Sequence, residues 1–282
     1  MKELINEFNS FINKWGFDVN RVFDDFLSYI IWLHTLPEYG HSIEGWKYTR
    51  EQNKTFFDLY KILISVFQKE LKHKQWFDPF GDIYEELIAS RGRRNSNGQF
   101  FTPYSLCELM AEITYAPQIQ KGKKCLVSDP TCGSGRTLLA FHVRHLGNYL
   151  VAEDIDRTCC LMTVCNFILH GVEGEVIWHN SLEPDSFFAA WKTNEFLNHV
   201  SKYNGLPHCR EISFKDSTLK RMNDKSKQVQ RIRMRLEEQK KALVSRLKYI
   251  SLISSKTAED RALARELTRK INNIKKILRK YE

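Results

Sequence analysis

The sequence predicts an α/β fold with helical flanks: an N-terminal helical domain over residues 1–90, an α/β domain over 91–214 and a basic helical hairpin over 215–282. Three observations carry this. Before residue 90, apolar residues recur at spacings of three and four, as one buried helix face requires. Between residues 125 and 179, short apolar runs alternate with helical patterns, the sign of a parallel sheet with crossover helices. After residue 215, two long Lys/Arg-rich segments each carry an apolar stripe.

In chain order, Leu4, Ile5, Phe8, Phe11 and Ile12 mark a first helix, and Val22, Phe23, Phe26, Leu27 and Ile30 a second. A break from Pro37 to Gly45 precedes a third, over Phe56 to Leu71, and Asp78-Pro79 opens a fourth. Residues 91–98, with Arg91, Arg93 and Arg94, form a polar loop. Cys125 to Ser128 is a strand ending at Asp129, and a Gly-rich turn leads into a helix from Thr137 to His145. A strand from Tyr149 to Ala152, a helix from Thr158 to His170 and a strand from Glu175 to His179 follow. Beyond residue 190 the strand signal fades, with Glu211 to Phe214 the one further candidate. Leu236, Leu243, Leu247, Ile250 and Ile253 stripe a helix over 217–253; Leu263, Leu267, Ile271, Ile274 and Leu278 stripe one over 258–281. Thr257 with Asp260 reads as the cap of the latter.

Composition excludes several classes. No run of eighteen apolar residues is present, so no membrane span is expected. The N-terminus lacks the basic start and apolar stretch of a signal peptide. Seven cysteines without a C-x-x-C pair argue against a disulfide framework or a zinc site and fit a reducing cytoplasm. The net charge of +9 is unevenly spread: residues 215–282 hold 21 of the 43 Lys/Arg and 8 of the 34 Asp/Glu, leaving that segment near +13 and the rest near −4. A basic arm on a near-neutral body suggests a polyanionic partner. A solvated, salt-bridged helix pair has the same composition.

The strongest motif is Asp129-Pro130-Thr131-Cys132-Gly133-Ser134-Gly135, between a strand and a helix. Glycines 133 and 135 let the backbone turn sharply and approach a ligand closely. The helix that follows aims its unpaired N–H groups at the same place. Asp129 ends its strand where α/β proteins bind ligands. A second acidic point follows the next strand, at Glu153-Asp154-Ile155-Asp156. An acid there can accept hydrogen bonds from both hydroxyls of a ribose. Asp154 is the favoured residue and Glu153 the alternative, with Asp156 read as a helix cap.

These residues together resemble the DNA N6-adenine methyltransferases, and in particular the modification (M) subunits of type I restriction-modification systems. The resemblance runs from Asp78-Pro79-Phe80-Gly81-Asp82-Ile83-Tyr84-Glu85, through Gly98-Gln99-Phe100-Phe101-Thr102-Pro103 and the Gly-rich turn, to Asp154, Asn166–Gly171 and Asn180-Ser181-Leu182. It implies a Rossmann-like domain that binds S-adenosyl-L-methionine and methylates the adenine N6 amine of double-stranded DNA in the cytoplasm. By the same resemblance, Phe101, Thr102 and Pro103 line the methionine end of the cofactor, and Asp129 holds its ammonium. Thr131, Cys132, Gly133, Ser134 and Gly135 pass beside the sulfonium. Asp154, followed by Ile155, holds the ribose. Asn180 stands where the family carries an acid near the cofactor's adenine; it can accept a hydrogen bond but carries no charge.

One family element is absent. After residue 182 a strand should end in Asn/Asp-Pro-Pro-Tyr/Phe, which holds and stacks a flipped adenine, and the sequence contains no Pro-Pro. Asn204-Gly205-Leu206-Pro207 is a poor substitute, so no catalytic residue is assigned. If a diverged adenine pocket exists, its first candidates are Asn194, Asn198, Asn204, Trp191, Phe196 and Tyr203. Three readings stand: an active enzyme with a diverged catalytic strand, an enzyme completed by a partner subunit, and a catalytically deficient protein that binds cofactor and DNA or serves assembly. The hairpin reads either as a DNA contact or as a contact with a second copy or a specificity subunit.

Overall fold

The computed structural model describes residues 1–39, 43, 46–88, 101–114, 124–183, 185–197, 205–252 and 257–280. The chain forms two compact units, Met1–Leu219 and Lys220–Glu282.

In the first unit, α1 (Lys2–Trp15), α2 (Val19–His34), α3 (Arg50–Glu70) and α4 (Pro79–Leu87) are the four helices expected from the apolar spacing. Asp18 caps α2 by accepting from the amides of Asn20 and Arg21, and Thr49 with Gln52 forms a capping box at α3. Phe8, Phe23, Phe26 and Phe56 are fully buried. These helices share one apolar core with the sheet layer, because α2 packs along the helix that links the second and third strands. The segments expected over 1–90 and 91–214 therefore lie within one compact unit.

The sheet is formed by β1 (Leu126–Asp129), β2 (Tyr149–Asp154), β3 (Gly174–Trp178), β4 (Ala189–Thr193) and β5 (Cys209–Ile212), in that spatial order. The first three strands are parallel, joined by α6 (Arg136–Arg144) and α7 (Arg157–Leu169). The last two are antiparallel, so the sheet is mixed rather than purely parallel. Sequence reading missed β4, whose Ala-Ala-Trp-Lys-Thr has little β-branched character. It is held by pairing with β3 and by the Thr193 hydroxyl, which donates to the Val172 carbonyl at 2.9 Å. The strand expected at 211–214 lies slightly earlier, at β5. α5 (Tyr104–Ile113) precedes β1 and packs on α6.

The second unit contains most of α8 (Thr218–Ser251) and all of α9 (Ala258–Leu278). Thr257 and Asp260 form the expected capping box. Ile250, Leu267, Ile271 and Leu278 of the two stripes are buried, whereas the Lys and Arg residues stay mostly exposed. Ile253 lies outside the described residues.

Candidate functional site

At the carboxyl end of β1, the Asp129 carboxylate organises the turn that follows. It accepts from the Thr131 amide at 3.1 Å and from the Thr137 hydroxyl in the first turn of α6. Gly133 and Gly135 have φ of +56° and +86°, a region that side chains strain to adopt. A β-carbon on Gly133 would also stand 3.2 Å from the Phe101 ring. α6 starts at Gly135 without a side-chain cap, so its first amides remain directed at this end of the sheet.

Asp154, the last residue of β2, closes the turn from the side. Its Oδ2 accepts from the Gly133 amide and its Oδ1 from the Asp156 amide, both at 2.9 Å. Burial pushes its carboxyl above the usual range, and these two bonds oppose the shift. Asp156 caps α7 by accepting from the Cys159 amide at 3.0 Å. Glu153 points to the other face of β2, where it accepts from the Ser128 hydroxyl at 2.8 Å and pairs with His179 Nε2 at 2.7 Å. Of the two acids weighed for a ribose, only Asp154 faces the turn.

Phe101, Thr102, Asp129, Thr131 and Gly133 line one cavity of about 50 Å³. Cys132 and Ser134 border it but direct their side chains elsewhere, to the Thr163 hydroxyl at 3.5 Å and to Asp78 at 2.6 Å. Burial raises the Cys132 thiol well above its ordinary range, so it stays protonated. Pro103 precedes α5 and is exposed. Ile155 is 61% exposed, and its carbonyl accepts from the Trp178 indole at 3.0 Å. Asn180 follows β3, and its side-chain oxygen accepts from the Leu182 amide at 3.1 Å. Gly98, Gln99, Phe100 and the three arginines at 91, 93 and 94 lie outside the described residues.

Sequence reasoning quoted the Asp78–Glu85 and Asn166–Gly171 motifs without giving their residues roles. Asp78 is fully buried directly beneath the turn. Its Oδ1 accepts from the Gly81 amide at 2.8 Å and from Asn166 Nδ2 at 2.6 Å. Its Oδ2 accepts from the Ser134 hydroxyl at 2.6 Å and from Arg136 Nε at 2.7 Å. Arg136, the first residue of α6, also reaches Asp82 at 2.9 Å and Glu85 at 3.0 Å. Its guanidinium lies 5.3 Å from the Phe101 ring centre and 4.8 Å from that of Tyr104. Burial alone would lower the Arg136 pKa, but the acids around it raise it. Asp82 is pushed up to about 6, by burial first and the neighbouring Asp78 second. Asn166 Nδ2 also donates to the Ser134 carbonyl at 2.8 Å, tying α7 to the turn. His170 donates from Nδ1 to the Asn166 carbonyl at 2.8 Å and accepts at Nε2 from the Phe77 amide at 3.3 Å. That pattern needs the neutral ring, and burial lowers its pKa to about 4.

Of the reserve adenine-holding residues, Trp191 lies within β4, opposite Val176, and Asn194 and Phe196 follow that strand. β4 runs antiparallel to β3, so Asn194, just after β4, lies at the opposite end from Asp129 and Asp154. Its amide donates to the Phe167 and Val172 carbonyls at 2.8 and 3.0 Å, a structural role at φ 54°. Phe196 stacks on His208 nearby. Asn198, Tyr203 and Asn204 lie outside the described residues.

A strand-end aspartate, a two-glycine turn into a helix and a second acid closing that turn define an α/β protein of the methyltransferase class. The profile of the N-6 DNA methylase family matches residues 75–233, more than half of the chain, and the chain belongs to that family. It is 34% identical over 128 residues to the type I restriction enzyme MpnII methylase subunit of Mycoplasma pneumoniae, covering 41% of this chain and 22% of that one. It is 27% identical over 141 residues to the MjaIX methylase subunit of Methanocaldococcus jannaschii, covering 45% and 24%. It is 24% identical over 156 residues to the MjaVII methylase subunit of that organism, covering 48% and 26%. The chain thus spans about a quarter of the length of the curated relatives it matches. No solved structure matches it.

Proposed function

We propose that the chain binds S-adenosyl-L-methionine across the carboxyl ends of β1 and β2, and that this site serves N6 methylation of adenine in double-stranded DNA. The observation that carries the cofactor is the Asp154 carboxylate, which closes the Gly133 turn through one bond on each oxygen. A carboxylate has about four acceptor positions, and the Ile155 amide also approaches this one, so acceptor capacity remains for a ribose hydroxyl. Fit is supported by the glycine cradle: the space a β-carbon on Gly133 would enter lies against Phe101. Asp129 would hold the ammonium, with Phe101, Thr102 and Pro103 beside the methionine end. The backbone from Thr131 to Gly135 would pass the sulfonium. Ile155 offers an exposed apolar side chain to the adenine ring and Asn180 an acceptor. When bound, the cofactor supplies an electrophilic methyl group.

The deficit lies in what would hold the receiving amine. Methyl transfer needs that amine fixed in line by polar groups, and the Asn/Asp-Pro-Pro-Tyr/Phe element that supplies them in the family is not in this sequence. The reading favoured for the isolated chain is therefore cofactor binding with weak or no transfer. Completion by a partner subunit is supported by a separate observation. Leu106, Leu109, Met110 and Ile113, spaced as one face of α5, the helix that follows Thr102 and Pro103, are 45, 54, 38 and 72% exposed. The basic hairpin would contact DNA, a second copy or a specificity subunit. Among the described residues no helix is long and apolar enough to cross a membrane, and a cytoplasmic setting is part of the proposal.

Calorimetry with S-adenosylmethionine and its demethylated product, followed by a labelled-methyl assay on mixed-sequence DNA, tests this. Absence of binding at about millimolar cofactor, a concentration matching only about −4 kcal/mol, overturns the cofactor site. Turnover by the chain alone at about 1 s⁻¹ or faster, the ordinary enzyme range, overturns the deficit.

A further inference from the structure

A second cavity, of about 490 Å³, lies between α2 and the β3–β4–β5 part of the sheet. Strand register builds its floor. Trp178 stands opposite Ala189 and Trp191 opposite Glu211, and residues two apart on a strand share a face. Trp178, Ala189, Trp191 and Glu211 therefore line one surface, where the small Ala189 leaves an opening beside two indoles. The wall is the face of α2 that carries Asp25, Ser28 and Trp32. Three of the chain's six tryptophans thus surround one space of ligand size.

The charges in the cavity narrow its occupant. Tyr48 donates to Asp25 Oδ2 at 2.6 Å and Arg21 approaches the same oxygen at 3.5 Å, leaving Oδ1 as an acceptor. Glu211 adds a second, exposed carboxylate. Ionised carboxylates accept and do not donate, so they favour a base whose edge carries an exocyclic amine over uracil or thymine, whose one N–H stands between two carbonyls that a carboxylate repels. Arg157 also lines the cavity, exposed at the first residue of α7, and its guanidinium can pair with an anion, whereas the amides of that helix end are already capped by Asp156. That end suits a phosphate.

We propose that this cavity binds a nucleotide whose base carries an exocyclic amine, adenine, cytosine or guanine, either free or unstacked from a DNA strand. The DNA source rests on the proposed function; the binding site itself does not. Indole stacking supplies affinity without regard to sequence, and the acids select for the amine.

The test is quenching of tryptophan fluorescence in the full chain by AMP, CMP and UMP, and by duplexes holding one mismatched adenine or thymine. S-adenosylmethionine binding is measured on the same samples. Saturable quenching by AMP and CMP, at least about tenfold tighter than by UMP, is expected if free nucleotides are the source; quenching by mismatched adenine but not thymine duplex identifies DNA. Ala189→Leu fills the opening and should weaken binding about tenfold or more, the lower range for losing a base–aromatic stack, while cofactor binding persists. If Ala189→Leu also loses cofactor binding or melts early, Asp25→Asn replaces it and should erase the preference for amine-bearing bases. The proposal is overturned if no nucleotide or duplex quenches the indoles saturably, if thymine and uracil bind as well as adenine, or if a folded Ala189→Leu binds unchanged. Loss of cofactor binding in the unaltered chain with nucleotide binding intact counts against the proposed function alone.

Discussion

Replacing Asp78 with alanine should destabilise the first unit more than almost any other single change. The carboxylate receives four hydrogen bonds, of 2.6 to 2.8 Å, from Gly81, Asn166, Ser134 and Arg136. The Arg136 side chain is 5% exposed. Removing one partner of a buried, hydrogen-bonded ion pair costs about 3–5 kcal/mol, because the remaining charge cannot reach water. Asp82 and Glu85 still contact Arg136 through its Nη2, which keeps the expected loss within that range. For a chain of this size each kcal/mol shifts the midpoint by about 2–4 °C, so a fall of about 6–20 °C follows. Asp78→Asn preserves the volume but turns an amide toward groups that are themselves donors, and should lie close to the alanine variant. Thermal unfolding followed by circular dichroism measures both, with urea unfolding as an independent check. A midpoint within about 2 °C of the unaltered chain, well under that shift, would show that Asp78 does not anchor the turn.

Three further expectations concern the site and the hairpin. Asp154→Ala should weaken cofactor binding by about 1.5–3 kcal/mol, whereas Asp156→Ala should mainly cost about 1 kcal/mol of stability through the lost α7 cap; calorimetry and melting on both separate the roles, and the reverse pattern would refute them. His170 sits near 4 in the fold against an ordinary 6.5, so between those values the unfolded chain binds more protons and stability falls as pH drops from about 6.5 toward 4. At about 1.4 kcal/mol per pKa unit the loss reaches about 3 kcal/mol by pH 4, and His170→Gln should flatten that part of the urea-midpoint profile. A chain ending at Leu219 should keep the cofactor and lose most DNA affinity and its salt dependence, since the hairpin holds the excess positive charge; equal DNA binding would make the hairpin a subunit contact.

What could be read from sequence was local. The Asp129–Gly135 turn, the Asp156 cap and the Thr257–Asp260 box each sit within a few residues, and their chemistry shows in spacing alone. What could not be read was carried by distance or context. Asp78 meets Ser134 across 56 positions and Asn166 across 88, and no periodicity links them. β4 is a strand because β3 pairs with it, not because Ala189-Ala190-Trp191 favours one. Asn194 looked like an amine acceptor until the antiparallel course of β4 carried it to the far end of the sheet.

The grip of Asp78, Asp82 and Glu85 on Arg136 makes α4 the foundation of the glycine turn rather than a neighbour of it. The family match begins at residue 75, upstream of that helix, and not at the α/β alternation. A chain trimmed to start at residue 91 would retain every residue proposed to touch the cofactor, yet leave Arg136 without its three acids and Ser134 and Asn166 without their shared acceptor. The turn would then lose its seat, and such a fragment should fail to bind before its sheet has unravelled. Any transplant of this site onto another scaffold has to carry α4 with it.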